Sequence, residues 1–366
     1  MNDYLTHKIW KMRKSIKTKP GTPLVSLVRV ENKTYQLLFM SCGCENACTF
    51  CNYGFDYNLS LEMVKPELAK IKLENFDMVE LELEANGSFL SEREIPYDLF
   101  LEVLKFVSHK HIPVITMETH YNTINERKIQ DTRKILGEEQ EVHFELGFES
   151  AFEDVRAIYN KDIDTVKYIE VTKLCEKYNI GLQINVLLGA PFLTRKEQIQ
   201  DCLDSLKFIY EKMPAETHAV LFPINIKQNT MLKHWQDIGV YDQISSWEFV
   251  ELLHNIPEEY LDKLTIAWWG NRENAFTKGI IQFPKTCDKC RDRLLNFYKD
   301  FYCNWNPSYR KELIEKIWAT RCECDKWFYA IPTKNRRLLT SVLVILVINL
   351  LNLFWLLVVS YISDLL

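Results

Sequence analysis

Several features are missing from this 366-residue chain, and each absence removes a class of answers. There is no excess of positive charge. Lys and Arg number 45 against 50 Asp and Glu, a formal net charge of −5, so bulk charge does not make the chain a polyanion binder. The stretch Met1–Pro20 is basic and has no apolar core, so it does not read as a secretory leader. Without such a leader, a disulfide framework for the eleven cysteines is not expected. Clustered thiols in a reducing compartment more often bind metal or do redox chemistry. No short internal repeat and no low-complexity linker interrupts the chain. Its length suffices for one large catalytic domain with small appendages. Apolar residues at 47% and charged residues at 26% are ordinary for a globular protein.

Charge is also missing locally. From Leu338 to Ile362 no residue is charged, and Leu, Val, Ile, Phe and Trp dominate. About 20 apolar residues cross a bilayer as a helix. Lys334, Arg336 and Arg337 precede the run, and Trp355 and Tyr361 lie near its far end. This pattern predicts a single C-terminal transmembrane helix over 338–362, with the catalytic part on the cytoplasmic side of the membrane. Asn349 and Asn352 keep a buried core helix open as the alternative.

At the other end, residues 1–20 carry six basic side chains and one acid, with Leu5, Ile9, Met12 and Ile16 at helical spacing. Either a basic amphipathic helix lies on a membrane or on RNA, or the stripe packs on the neighbouring domain. From Thr34 onward strand and helix patterns alternate. Strands are expected at Tyr35–Met40, Met78–Leu83, Pro113–Met117, Val142–Gly147, Leu182–Leu188 and Ala219–Ile226. Helices are expected at Leu61–Leu73, Leu99–Ser108, Asn125–Ile135, Val166–Tyr178 and Lys196–Tyr210. Such βα units predict an α/β fold, a parallel sheet rolled by right-handed crossovers into a partial (β/α)6 TIM-like barrel. The segment from Trp247 to Trp327 is less regular. The expected organisation is a basic segment over 1–20, the barrel over 21–246, a small cysteine-rich metal module over 247–333 and the membrane helix over 338–362.

Residues 42–54 read Cys-Gly-Cys-Glu-Asn-Ala-Cys-Thr-Phe-Cys-Asn-Tyr-Gly. Cys44, Cys48 and Cys51 have the spacing C-x3-C-x2-C, with Phe50 before the last. Cluster irons are normally ligated by four cysteine thiolates; three on one loop leave one iron open for a small molecule. The loop directly follows the first expected parallel strand, and chemistry in β/α barrels sits at the carboxyl ends of the strands. The alternative is a zinc loop in which Cys48 and Cys51 form one knuckle. Cys42 reads as a bystander.

The spacing, the aromatic residue and the position after the first strand resemble the radical S-adenosylmethionine (SAM) superfamily. The resemblance implies a [4Fe–4S] cluster on Cys44, Cys48 and Cys51. Its open iron is chelated by SAM, which is cleaved reductively to a 5′-deoxyadenosyl radical that abstracts hydrogen from a substrate. It also implies an electron donor such as flavodoxin or ferredoxin. Further segments resemble the branch of the elongator catalytic subunit and the archaeosine synthase radical SAM subunit. They are Asn86-Gly87-Ser88-Phe89-Leu90, Gly147-Phe148-Glu149-Ser150 and Gly189-Ala190-Pro191-Phe192-Leu193-Thr194, together with the later cysteine pattern, over roughly residues 20–330. From these, Gly87, Ser88, Glu149, Ser150, Asn185 and Asn225 are expected to contact the cofactor, and Glu118 and Glu149 to act catalytically. A tRNA base as substrate, as in archaeosine synthesis, is one implied alternative; the acidic net charge and the expected anchor argue against tRNA.

Cys287-Asp-Lys-Cys290 is a C-x2-C knuckle, Cys322-Glu-Cys324 a C-x-C pair, and Cys303 lies between them. Two close thiolate pairs suit a tetrahedral zinc. An auxiliary iron–sulfur cluster and metal-free thiols are the alternatives. Cys175 and Cys202 fall on apolar helix faces and read as packing thiols. A non-catalytic, zinc-stabilised membrane adaptor is the rival reading for the whole chain.

Overall fold

The computed structural model of the chain describes residues 3–14, 21–31, 33–54, 57–267 and 280–327. A first helix, α1 (Asp3–Arg13), precedes strand β1 (Val25–Glu31), which runs antiparallel to β2 (Thr34–Phe39). From β2 onward every pairing in the main sheet is parallel: β3 (Glu80–Glu84), β4 (Val114–Thr119), β5 (Glu141–Glu149), β6 (Gly181–Leu188) and β7 (Thr217–Pro223) follow in spatial order. The short strand β8 (Ile226–Lys227) leaves the sheet, and β9 (Leu264–Ile266) adds a last parallel strand beside β7. β8 pairs instead with β10 (Ile280–Gln282) in an antiparallel ribbon. The order β1-β2-β3-β4-β5-β6-β7-β9 is that of an open, partial barrel.

Crossovers between the parallel strands are helical: α2 (Leu61–Leu68), α3 (Tyr97–Ser108), α4 (Glu126–Leu136), α5 (Glu153–Ile158), α6 (Thr165–Lys177) and α7 (Arg195–Lys212). Side-chain caps set several of their starts. Asn125 accepts from the Lys128 amide, Asp164 from the Lys167 amide, and Thr194 and Glu197 form a reciprocal capping box. The residues from Met231 onward form α8 (Met231–Asp237), α9 (Ser246–Asn255), α10 (Asp288–Cys303), α11 (Pro307–Ala319) and α12 (Cys324–Trp327). The stretch that reads as less regular in sequence is therefore largely helical, and β9 ties it to the barrel sheet.

Alternation along the strands separates two environments. Leu37, Leu81, Leu83, Ile115, Met117, Phe144 and Leu146 are fully buried, in one core with the helices. Their neighbours Gln36, Glu82, Glu84, Glu118 and Glu145 line a cavity on the opposite face.

The expected transmembrane helix is corrected. Among the described residues no helix is long and apolar enough to cross a membrane, and the segment 338–362 lies outside the described residues. With the expected helix go the membrane localisation, the membrane partner and the adaptor reading that depended on the anchor.

One buried acid gives the fold a pH dependence. Glu248 of α9 is almost fully buried, and neither carboxylate oxygen has a hydrogen-bond partner. Burial pushes its pKa up to about 7 against the opposing pull of Arg195. An acid raised above its unfolded value of 4.5 holds its proton longer when folded. Its contribution is complete below the unfolded pKa and is lost as pH rises through the folded one. Glu248→Gln should therefore gain on the wild type by up to ~1.4 kcal/mol per pH unit across that window. Urea unfolding at several pH values checks this, and a pH-independent difference would contradict it.

Candidate active site and metal centre

The loop carrying the first cysteines starts where β2 ends, at the carboxyl edge of the sheet. A tight loop leaves backbone carbonyls without ladder partners, and here Arg13 of α1 receives them. This fully buried guanidinium donates to the carbonyls of Asn46 (2.5 Å), Cys48 (3.4 Å) and Cys51 (3.2 and 3.3 Å). Ile9 packs with Ala47 and Met231, and Asn160 Nδ2 donates to Thr6 Oγ1 at 3.0 Å. Of the two uses weighed for the basic stripe, packing on the neighbouring domain is the one found; Ile16 lies outside the described residues.

Cys44, Cys48 and Cys51 all line the cavity, whose volume is about 910 Å³. Cys44 Sγ accepts from the Asn46 amide (3.3 Å) and lies 3.2 Å from His120 Nε2, while Cys51 Sγ accepts from the Tyr53 amide (3.4 Å). Cys42 points elsewhere, its thiol donating to the Arg93 carbonyl at 3.3 Å. Burial pushes the Cys48 thiol up to about 11, opposed by the Lys161 ammonium, and raises Cys44 as well. Such thiols ionise when a cation sits beside them, as metal ligands do. Among the described residues, only the later cysteines gather their thiols within 4.8 Å of one another. Sulfurs around one tetrahedral ion with ~2.3 Å bonds stand ~3.8 Å apart, which is the arrangement of the later four; a cluster of several irons places metal and sulfide between its cysteine ligands.

The turn after β3 closes on this loop. A Cβ on Gly87 would stand 2.5 Å from Cys44 Cβ and 2.7 Å from its sulfur, so only glycine permits the approach. Glu94, which the sequence did not single out, joins turn to loop. Its carboxylate accepts from Ser41 Oγ (2.7 Å) and from the Ser88 amide (2.9 Å), and burial raises its pKa to about 7. Ser88 itself is not among the lining residues of the cavity. It is fully buried and pairs with Thr119 Oγ1 (2.7 Å) and Thr123 Oγ1 (2.8 Å).

At the end of β5 the register shifts between Gly147 and Glu149, and Glu149 takes a left-handed φ of 69°. Its carboxylate forms a buried ion pair with Lys161 inside the cavity. A Cβ on Gly147 would overlap the Lys161 ammonium, so glycine here makes room for the pair. Ser150, one residue on, faces α7, where its hydroxyl donates to Asp201 Oδ1 at 2.5 Å. Glu118, Asn185 and Asn225 line the cavity with Gly87 and Glu149.

The sequence also gave no role to Gln36, Glu82, Glu84 and Glu145, which share the lumen with Glu118. Gln36 Nε2 donates to Glu82 Oε2 (2.5 Å) and Glu84 Oε1 (2.6 Å), and Asn185 Nδ2 donates to Glu145 Oε1 (2.9 Å). Burial, reinforced by neighbouring carboxylates, holds the Glu84 and Glu118 pKa values well above the usual carboxylate range. The signal was present in β3, which spells Glu-Leu-Glu-Leu-Glu.

Cys287, Cys290, Cys322 and Cys324 form the second centre. Cys287 Sγ lies 3.5 Å from Cys290 Sγ and 4.0 Å from Cys322 Sγ, and Cys290 Sγ lies 3.8 Å from Cys324 Sγ. These are close to the edges of a tetrahedron around one metal ion. The Cys324 amide is the main cause lowering the Cys322 thiol to about 7. Cys303 is exposed and outside the group, while Cys175 and Cys202 are fully buried packing thiols. Asp325 anchors the centre to the barrel: it accepts from Arg195 at the start of α7 (2.6 Å), from Ser245 Oγ (3.2 Å) and from Arg321 Nε (2.7 Å).

No protein-family model matches the chain. An uncharacterized protein of Methanocaldococcus jannaschii is 24% identical over 244 residues, covering 61% of this chain and 64% of that protein. The match thus spans less than two thirds of the relative's length. Among solved structures, the chain is similar to archaeal Elp3 of Methanocaldococcus infernus, with a TM-score of 0.46, 15% identity and coverage of 65% of this chain and 58% of that one. It is also similar to methylornithine synthase (TM-score 0.47, 14% identity, 81% and 87% coverage). A third is a queuine lyase from Clostridium spiroforme bound to SAM and queuine (TM-score 0.42, 19% identity, 66% and 98% coverage).

Proposed function

We propose that the chain is a radical SAM enzyme acting on a substrate held in the barrel lumen. One observation carries the reading: a C-x3-C-x2-C loop leaves the carboxyl end of the first parallel strand and brings all three cysteines to the cavity wall. The cavity volume of about 910 Å³ lies in the range of ligand pockets, ~300–1,000 Å³. A [4Fe–4S] cluster bound by Cys44, Cys48 and Cys51 would supply reductive cleavage of SAM to a 5′-deoxyadenosyl radical that abstracts hydrogen.

The chain's own residues bind and position. Arg13 fixes the loop backbone, Gly87 admits the turn against Cys44, and Glu94 holds turn and loop together. Glu149, kept in place by Lys161, offers an acceptor to SAM or substrate, as do Glu118, Asn185 and Asn225. Ser88 and Ser150 act as positioning residues, since their hydroxyls are engaged behind the strands. The Cys287, Cys290, Cys322 and Cys324 thiols hold a single zinc with a structural role. The barrel over 21–246 thus carries the chemistry, and 247–333 braces it. The reaction takes its electron from a one-electron donor of the flavodoxin or ferredoxin kind.

The test uses the full chain, reconstituted anaerobically with iron and sulfide and then given SAM and dithionite. Formation of 5′-deoxyadenosine is the expected result. A preparation of verified four-iron content that forms none, with or without a small-molecule cell extract, would overturn the proposal.

A further inference from the structure

The lumen collects hydrogen-bond acceptors, and two of its amide oxygens have no donor. Glu80, Glu82, Glu84, Glu118 and Glu145 line it from three adjacent strands. Two amides interleave with them, and each turns its NH2 group to a carboxylate: Gln36 to Glu82 and Glu84, Asn185 to Glu145. That leaves Gln36 Oε1 and Asn185 Oδ1 buried with no hydrogen-bond partner. Gln36 is only 5% exposed, and it borders the cavity. In the flipped orientation each carbonyl oxygen would need a protonated acid as its donor.

Among the described residues, the cations bordering the cavity are mostly committed. Arg13 serves the loop carbonyls and Lys161 pairs with Glu149. Lys227 lies over the Tyr53 ring at 5.0 Å and acts electrostatically on Glu118. Among the described residues one ammonium faces these acids, two of which burial holds toward the protonated form, and a buried acceptor without a donor costs free energy. A ligand that brings several N–H donors and a positive charge would satisfy the carbonyls and carboxylates together.

We propose that the lumen holds its substrate by a cationic nitrogen, an ammonium or guanidinium whose N–H groups are received by Glu84, Glu118, Glu145 and the amide oxygens of Gln36 and Asn185. This deepens the radical SAM reading and rests on it for the identity of the second ligand. Gln36 and Glu82 are register partners within the strands, so the charged end sits in mid-barrel and the rest of the substrate extends toward the cysteine loop.

Ligand-observed NMR titrations on the full chain test this without turnover, so they stand even if no 5′-deoxyadenosine forms. The probes are n-butylamine and agmatine, with 1-butanol and butyrate as neutral and anionic controls. Saturable binding of the cations is expected, at least ~10-fold tighter than the controls, and weakened at least ~10-fold in Glu118→Gln/Glu145→Gln. Equal binding of butylamine and butanol would overturn the proposal, as would unchanged binding in a folded double variant. If the double variant does not fold, the single Glu118→Gln protein replaces it: a weakening of ~3-fold or more supports the proposal, and no weakening overturns it. A final arm adds saturating SAM. Simultaneous binding supports a substrate site, whereas one-for-one displacement would assign the acceptors to the α-ammonium of SAM and overturn the substrate assignment.

Discussion

Replacing Cys48 with alanine should empty the first centre and abolish SAM cleavage, whereas Cys42→Ala should leave both intact. The two thiols are six residues apart on one loop, yet their surroundings differ. Cys48 lines the cavity beside Lys161, and the carbonyl of its own residue is held by Arg13. Cys42 donates to a carbonyl outside the cavity. With three protein ligands instead of four, the cluster is already one thiolate short, and a two-ligand cluster would not survive purification. Iron and acid-labile sulfide should therefore fall from about four per chain to near background in Cys48→Ala. 5′-Deoxyadenosine formation should fall at least ~1,000-fold, because the cofactor carries the chemistry. Cys44→Ala and Cys51→Ala should match it. Melting temperature separates cluster loss from misfolding, since the described fold closes its core on the other face of the sheet. Reductive cleavage retained by a folded Cys48→Ala protein would refute the ligand assignment.

Periodicity made much of the barrel legible in the sequence. All six expected parallel strands are found, displaced at their ends by a few residues, because buried strands flanked by amphipathic helices keep a local pattern. β1 escaped because it is an antiparallel edge strand added before the first βα unit, and α9, α10 and α11 because their aromatics, with cysteines in α10, blurred the helical stripe. The cysteine loop was legible because its spacing is local. Arg13, Glu94 and Lys161 were not, since each acts on a segment distant in sequence: Arg13 reaches Asn46, and Glu94 reaches Ser41. The strand ends show a finer limit. Glu149 and Ser150 were both assigned to the pocket, but β5 ends at Glu149 with a left-handed φ, and Ser150 beyond it turns to Asp201. Within a regular strand alternation is the guide, and applied to Glu-Leu-Glu-Leu-Glu it would have placed the acids of β3 in the lumen.

Removing the second metal should cost the fold rather than the chemistry. Cys287 and Cys322 come from opposite ends of the helical pair α10 and α11, so a bound ion closes a long loop as well as filling its shell. Helix α12 has four residues, too short to persist without tertiary support, and it presents Asp325. Despite its burial, Asp325 is held ionised below its usual range by Arg195 and Arg321. If α12 frays, Arg195, which is 7% exposed, loses a charged partner, and breaking a buried pair costs ~3–5 kcal/mol. For a chain of this size that corresponds to a drop of roughly 4–7 °C in melting temperature. A zinc chelator, or Cys290→Ala, should produce a drop of this order, with one zinc per chain lost and the first cluster still reconstitutable. Cys303→Ser should change nothing, because that thiol is exposed and outside the group. Iron and labile sulfide that depend on Cys287 would instead identify an auxiliary cluster. An unchanged melting temperature after verified metal loss would remove the structural role, leaving Arg195 and Asp325 to hold α12 unaided.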